Sequence, residues 1–466
     1  MIIAYYIAVI IFAFFEDYTP SVYWPFLALG SYLWFLRLLF QRYPRETMLM
    51  SIMAMTKILI LFSLIMIGLG FWITELEIVG QLPVYSLYFC ILSSVFIHAA
   101  CQSSAFINRR IDSQPVPELA TGMGFAQTIG AVALVGFGIA VLLQTGLTKG
   151  FATLDGIDRF EFRADADWFF NYVVLRKYMM TAALATVRFR ISMSTATHRV
   201  IDAIFVAFLG LLMLFGDKFL SVIVVGIFYV LPLLVTTRGG ARVRLPRSLL
   251  LAVVTLLPLV LSATVWVYSD YGAQGWDSTL DRLFGRSTGQ GQIWYIVAHD
   301  HRPLLSVDGG AVQKLMGSMG YQGESDPLRS NVGIFYIISR YAPTNVYKSI
   351  LANNGLVQFT GGFEAYLILL FGHIPTLFLT ILFGIIAGMC GSYLYYTIRS
   401  RSAFGAFFAS FIYMSVYTTI NQGAIWMSVS LGALIYTAIY IIAEQIVRYL
   451  ILKPGRRMVT AQAIAQ

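Results

Sequence analysis

Gly285-Arg286-Ser287-Thr288-Gly289-Gln290-Gly291-Gln292 lies within a stretch, Ser269 to Gly372, that differs from everything around it. The flanking sequence is a series of apolar runs. This stretch carries Arg282, Arg286, Arg302, Lys314, Arg329, Arg340 and Lys348, set against Asp270, Asp277, Asp281, Asp300, Asp308, Glu324, Asp326 and Glu364. It also holds a second glycine patch, Thr360-Gly361-Gly362, and two tryptophans, Trp276 and Trp294. Loops longer than about 15 residues are uncommon unless they carry a function. The contrast decides the fold: apolar helices in a bilayer, with one large polar segment held on one side.

The composition agrees. The chain is 58% hydrophobic and 12% charged, with mean hydropathy +0.74, whereas a soluble domain is about half apolar and a quarter charged. Cys90, Cys101 and Cys390 lie in apolar runs and offer neither a disulfide framework nor metal spacing. The net charge of +9 does not indicate nucleic acid, because the cations cluster in short loops of one side, as membrane topology demands.

The expected architecture is all-α and polytopic, with twelve spans near 2–15, 21–40, 50–73, 83–104, 121–143, 168–187, 201–215, 218–236, 248–268, 373–397, 403–420 and 424–449. Loops with Arg42 and Arg45, Arg109 and Arg110, Arg188, Arg190 and Arg199, Arg238 to Arg247, and Arg399 and Arg401 alternate with acidic or neutral ones such as Glu16-Asp17 and Glu75-Leu76-Glu77. The positive-inside bias puts both termini in the cytoplasm and the polar stretch outside. The organisation expected is an N-terminal bundle (1–144), a first outer loop (145–167), central helices (168–268), a large outer loop (269–372), C-terminal helices (373–450) and a cytoplasmic tail (451–466).

Three features test that layout. Arg176 and Lys177 fall inside the sixth span, where a charge costs about 2.5–3.5 kcal/mol on insertion scales; they face water or an anion, or else the span starts later and they snorkel. Lys57 in the third span is expected to point into the protein interior. The first outer loop, Asp155 to Asp167, alternates aromatic and charged residues as a short strand or an interfacial helix would. Within the large loop, 312–319, 332–341 and 347–351 have helical spacing, and 356–371 reads as a helix lying on or dipping into the outer leaflet.

The residue types point to anion chemistry. A guanidinium is always charged and binds phosphate oxygens in pairs, so Arg163, Arg176, Arg282, Arg286, Arg329 and Arg340 together suit a pyrophosphate. Ion pairing with nearby acids, as of Arg282 with Asp281, is the alternative for each alone. Amides of Gly289-Gln290-Gly291 add donors in a nest-like turn. A general base for an acceptor hydroxyl would come from His299, His301 or Glu364. His299-Asp300-His301 makes a poor metal site. Glu16-Asp17 competes as a pair of catalytic acids, or is an ordinary acidic loop.

This layout resembles the oligosaccharide repeat-unit polymerases of the O-antigen polymerase type, which are GT-C-like membrane glycosyltransferases. The local likeness lies in Ala352-Asn353-Asn354-Gly355 through Glu364 to Gly372, in Asp281-Arg282-Leu283-Phe284-Gly285-Arg286, and in Arg159 and Arg163. The resemblance implies metal-independent glycosyl transfer without a cofactor at the periplasmic face of a bacterial inner membrane. A growing glycan on undecaprenyl pyrophosphate would pass to a lipid-linked repeat unit. It implies catalytic roles for Arg282, Arg286, Glu364 and His299, and substrate contacts for Arg159, Arg163, Arg176, Lys177, Gly289, Gly291, Arg329, Arg340, Asn353 and Asn354. Implied partners are the lipid-linked glycan, the bilayer, a chain-length regulator and a flippase. The rival readings are an O-antigen ligase, and a lipid-linked glycan flippase or non-catalytic export component.

Overall fold

The computed structural model describes residues 1–71 except 20, 82–116, 122–236 except 158, 217 and 218, single positions between 258 and 291, and 292–451 with breaks at 301–303, 306–308, 319–332, 353–361, 424, 426, 427 and 429. Among the described residues all regular structure is helical. The chain divides into two compact units. One comprises Met1–Ala105, Tyr268–Gly391 and Met414–Ile435; the other comprises Phe106–Val267, Ser392–Tyr413 and Tyr436–Gln466.

The helices in order are α1 (Ile2–Tyr18), α2 (Tyr23–Arg42), α3 (Pro44–Leu49), α4 (Ser51–Gly68), α5 (Ser86–Ser113), α6 (Met123–Lys149), α7 (Arg159–Asp165), α8 (Trp168–Arg190), α9 (Thr195–Leu214), α10 (Phe219–Thr236), α11 (Gln292–His299), α12 (Ala311–Ser318), α13 (Gly333–Tyr341), α14 (Thr344–Ala352), α15 (Gly362–Phe371), α16 (His373–Arg399), α17 (Ala403–Gln422) and α18 (Leu431–Ile451). Six of them, α4, α5, α6, α9, α16 and α17, are long and apolar enough to cross a membrane. Their outer faces are bare of polar cover: Phe125, Ile129 and Leu147 on α6, and Phe378, Leu382 and Met389 on α16, are exposed. Water would not tolerate so much contiguous apolar surface, and lipid does. The chain is a helical membrane protein.

The twelve-span expectation is met in part. The apolar parts of α1, α10 and α18 are shorter, at Ile2–Glu16, Leu220–Thr236 and Leu431–Ile446. The span expected at 248–268 lies outside the described residues. Helix α8 runs unbroken from Trp168 and carries Arg176 and Lys177 inside it, but it is not among the helices long and apolar enough to cross a membrane. The alternating stretch after Asp155 is helical at α7, not a strand. The loop helices at 312–319, 332–341 and 347–351 are present as α12, α13 and α14.

One expectation is overturned. Helix α15 was expected on or dipping into a lipid surface, yet every residue from Gly362 to Leu370 is buried. A helix that is apolar all round has no face suited to an interface between lipid and water. Its ten residues make roughly 15 Å of helix, half a bilayer, and its neighbours are α11 and α13.

In the first unit, α16 crosses α5 at its closest where Gly384 and Gly388 stand. A Cβ on Gly384 would lie 2.6 Å from the Phe96 carbonyl oxygen and 2.9 Å from the Ala99 methyl, and one on Gly388 would overlap Ser103 Oγ and the Ala100 carbonyl. Small residues four apart let membrane helices touch backbone to backbone, and Ser103 Oγ donates to the Ile385 carbonyl at 3.2 Å. In the second unit, α8 packs against α6, α9 and α10. Arg188 there clamps Asp202 through both oxygens, at 2.7 and 3.1 Å, while the Tyr229 hydroxyl donates to the same carboxylate at 2.7 Å. Also in the second unit, Arg399 ends α16 against the last turn of α5: it donates to the carbonyls of Ile111, Asp112 (3.2 Å) and Gln114 (2.8 Å). A cation on the last carbonyls of a helix is the favoured arrangement.

Candidate functional site

Lys57 and Glu364 are both wholly buried and form an ion pair, with Nζ of Lys57 donating to Oε1 of Glu364. Lys57 comes from the first turns of α4, an apolar helix that otherwise buries Ile60, Leu61 and Leu64. Glu364 comes from the start of α15. The ammonium also sits among aromatic rings, 5.4 Å from the Phe363 centroid, 5.6 Å from Phe89 and 5.8 Å from Phe96. Ring faces attract a cation, but three rings without the carboxylate would not hold an ammonium away from water. Ionisable groups inside a membrane protein are rare and mark functional positions by default. The sequence supplied each partner alone and gave no sign of the pair.

The pair takes Glu364 out of the catalytic set. A general base must reach the proton it takes; Glu364 has no exposed surface and one oxygen already holds Lys57. Gly291 is also reassigned. Its amide donates to the Thr288 carbonyl at 3.0 Å, and a Cβ on it would lie 2.8 Å from Ser63 Cβ and 2.9 Å from the Ile60 carbonyl oxygen. Its lack of a side chain lets α11 close on α4 and does not open an anion nest. Gly289 is half-buried in the same turn.

Short helices of the first unit pack against α15 and carry polar groups. Arg340 on α13 pairs with Asp300 at 3.4 Å and is 39% exposed. Partial burial works against its charge, but Tyr341, Tyr336 and Asp300 outweigh it and hold the guanidinium above its ordinary value. Lys314 on α12 stands 4.3 Å over the Tyr336 ring and donates to its hydroxyl at 3.2 Å. Tyr366 donates to the Lys314 carbonyl at 2.9 Å, which ties α15 to α12. His299 ends α11, with Nε2 3.0 Å from the Leu82 carbonyl oxygen. Arg282, Arg286, His301, Arg329, Asn353 and Asn354 lie outside the described residues.

The other expected contacts belong to the second unit. Arg159 and Arg163 are on α7, and Arg163 is half-buried. Lys149 donates to the Asp165 carbonyl at 2.5 Å and Asn171 to that of Arg163 at 3.1 Å, so the segment between α6 and α8 is laced to their ends. Arg176 stacks 4.7 Å from the Phe411 centroid and 5.9 Å from Tyr172. Lys177 is 4% exposed, 5.2 Å from the Tyr178 ring.

Glu16 does not belong to a catalytic pair. It is 1% exposed and accepts from the amides of Ser86 (2.7 Å) and Leu87 (2.8 Å), the first turn of α5. The first amides of a helix have no partner within it, and a carboxylate there also meets the positive end of its dipole. Glu16→Ala is expected to cost about 1–2 kcal/mol, read as a lower melting temperature in detergent, while Glu16→Gln retains part of the loss. Equal melting of wild type and E16A would deny the cap. Among the described residues no group of three or more His, Cys, Asp or Glu is placed to hold a metal ion.

The model of a family of unknown function, DUF6418, matches residues 328–437. That segment holds Arg340, Glu364, Tyr417 and Asn421, while Lys57 lies outside it. No curated protein and no solved structure matches the chain.

Proposed function

We propose that this protein polymerises oligosaccharide repeat units linked to a polyprenyl pyrophosphate, by glycosyl transfer at the periplasmic face of a bacterial inner membrane. The observation that carries the reading is the set of short helices α11, α12, α13 and α15. There Arg340 pairs with Asp300, the residue after His299, and Lys314 stands over Tyr336, on short helices that pack with the buried, apolar α15. Cations suit a diphosphate, and aromatic faces suit sugar rings. In this reading Arg282 and Arg286 stabilise the charge that develops on the leaving pyrophosphate, and His299 or His301 takes the acceptor proton. The twelve spans, cytoplasmic termini, chain-length regulator and flippase belong to the same proposal, as does the absence of a metal or cofactor from the chemistry.

A gel of surface glycans from a strain lacking the protein tests it. A core bearing one repeat unit, with the ladder gone, is expected, and Arg282→Ala or Arg286→Ala should give the same pattern at unchanged protein level. Bare core with polymer still on its carrier would mean ligation instead. The second reading, transport of a lipid-linked glycan, is favoured by the Lys57–Glu364 pair, since charges inside spans line transport paths. It predicts neither polymer nor any outward-facing lipid-linked repeat.

A further inference from the structure

In the second unit, three arginines meet at the turn between α16 and α17. Ile398, in the last turn of α16, has a carbonyl oxygen that takes two donors. One is Nε of Arg190, from the end of α8, at 3.3 Å, and the other is the Arg401 amide at 3.1 Å. Arg399 stands next to Ile398 in the chain. The Ser402 amide donates to the Thr397 carbonyl at 3.1 Å, which completes the pair of bonds that usually closes a helix on a glycine. Here Arg401 holds the left-handed position instead, at φ +58°. A side chain with a Cβ is strained there, and strain of that kind gathers at functional positions. Helices α16 and α17 are each long and apolar enough to cross a membrane, so the turn that joins them stands at a membrane surface.

The charges at this turn are not balanced. Arg399 already donates to the last carbonyls of α5, and its Nε lies 3.6 Å from Asp112 Oδ1. That carboxylate also accepts from the Tyr395 hydroxyl at 2.6 Å. Arg190 uses Nε alone, and among the described residues no acceptor meets its two terminal nitrogens. None meets the exposed guanidinium of Arg401 either. Burial first, and then the charge of Arg401, hold the Arg190 guanidinium below its ordinary value; Tyr395 opposes this and Arg399 adds to it. Cations scattered over the loops of one membrane face satisfy topology by number alone. That rule does not draw three of them together against their own repulsion.

We propose that Arg190 and Arg401 bind a phosphate group at the membrane surface, with Arg399 adding its charge. The terminal nitrogens of Arg190 and the fork of Arg401 donate to the phosphate oxygens, a geometry to which the planar guanidinium is matched. Basic pockets between membrane helices take lipid headgroups in this way, and a soluble phosphate offers the same oxygens. None of the three arginines has a part in the glycosyl-transfer reading, and the proposal does not rest on it.

The test uses the full-length protein, stripped of lipid in a neutral detergent. Its melting temperature is followed against dioctanoyl phosphatidylglycerol, dioctanoyl phosphatidylcholine, and inorganic phosphate replacing chloride at equal ionic strength. The anionic lipid or the inorganic phosphate is expected to raise the melting temperature, increasingly with its concentration, and the zwitterionic lipid much less. A response to the anionic lipid alone makes the ligand a headgroup; a response to inorganic phosphate makes it a soluble phosphate. Arg190→Gln and Arg401→Gly should each weaken the apparent affinity by about tenfold, the worth of a hydrogen bond to a charged group. Without ligand, Arg401→Gly should melt above the wild type, because glycine takes the left-handed turn without strain. A lost response in that variant is therefore not a lost fold. No response to either anionic probe overturns the proposal. So does an equal response to the zwitterionic lipid, or a response that persists unchanged in Arg190→Gln or Arg401→Gly.

Discussion

Lys57→Met is expected to lower the stability of the folded protein by about 3–5 kcal/mol, the usual result of stranding one charge of a buried pair. The charge left behind is that of Glu364, which has no exposed surface and whose second oxygen makes no hydrogen bond. Three aromatic rings, which attract an ammonium, would then surround a neutral thioether beside a bare carboxylate. The double variant Lys57→Met/Glu364→Gln should recover most of the loss, because a neutral amide needs no counter-charge. A double-mutant cycle on detergent melting curves separates the pair from its parts. If Lys57→Met melts with the wild type, the pair is not holding α15 to α4.

Gly384→Leu and Gly388→Leu are the second large effect. Each side chain would have to occupy space already filled by the backbone of α5 at Phe96 and Ala100. A carbonyl cannot rotate away as a flexible side chain can, so the whole helix must move. Overpacking costs typically about 1–3 kcal/mol per site, and the two sites lie on one ridge, so the double variant should fail to give a monodisperse peak on size-exclusion chromatography. Gly136→Ala is the control: nothing lies within 4 Å of a Cβ there, and alanine favours helix over glycine by about 1 kcal/mol. A double leucine variant that behaves as wild type would deny the close crossing.

The apolar runs announced helices and membrane, and even the short helices α12, α13 and α14 were legible from spacing, since local periodicity is a property of neighbouring residues. What depends on distant residues was not. Lys57 and Glu364 are 307 positions apart, and each alone looked like an interior lysine and a loop carboxylate. Glu16 read as an acid beside a turn because the amides it caps belong to Ser86 and Leu87. Gly291 fitted an anion-binding turn until α4 was seen against it. The buried setting of α15 was illegible for the same reason: its composition suits the lipid interior and a protein interior alike, and only its neighbours distinguish them.

The grip of Arg399 on the last carbonyls of α5 has a consequence for how the chain threads the bilayer. The C-terminal ends of α5 and α16 meet there, and Gly384 and Gly388 climb α5 in the same sense as Phe96 and Ser103. The two helices therefore run the same way, out of step with the up-and-down alternation of neighbours joined by short turns. Between the end of one and the start of the other the chain must return to its starting side, which takes an odd number of passages. The long described helices in that interval are four: α6, α8, α9 and α10. Those four by themselves make an even number and cannot complete the return.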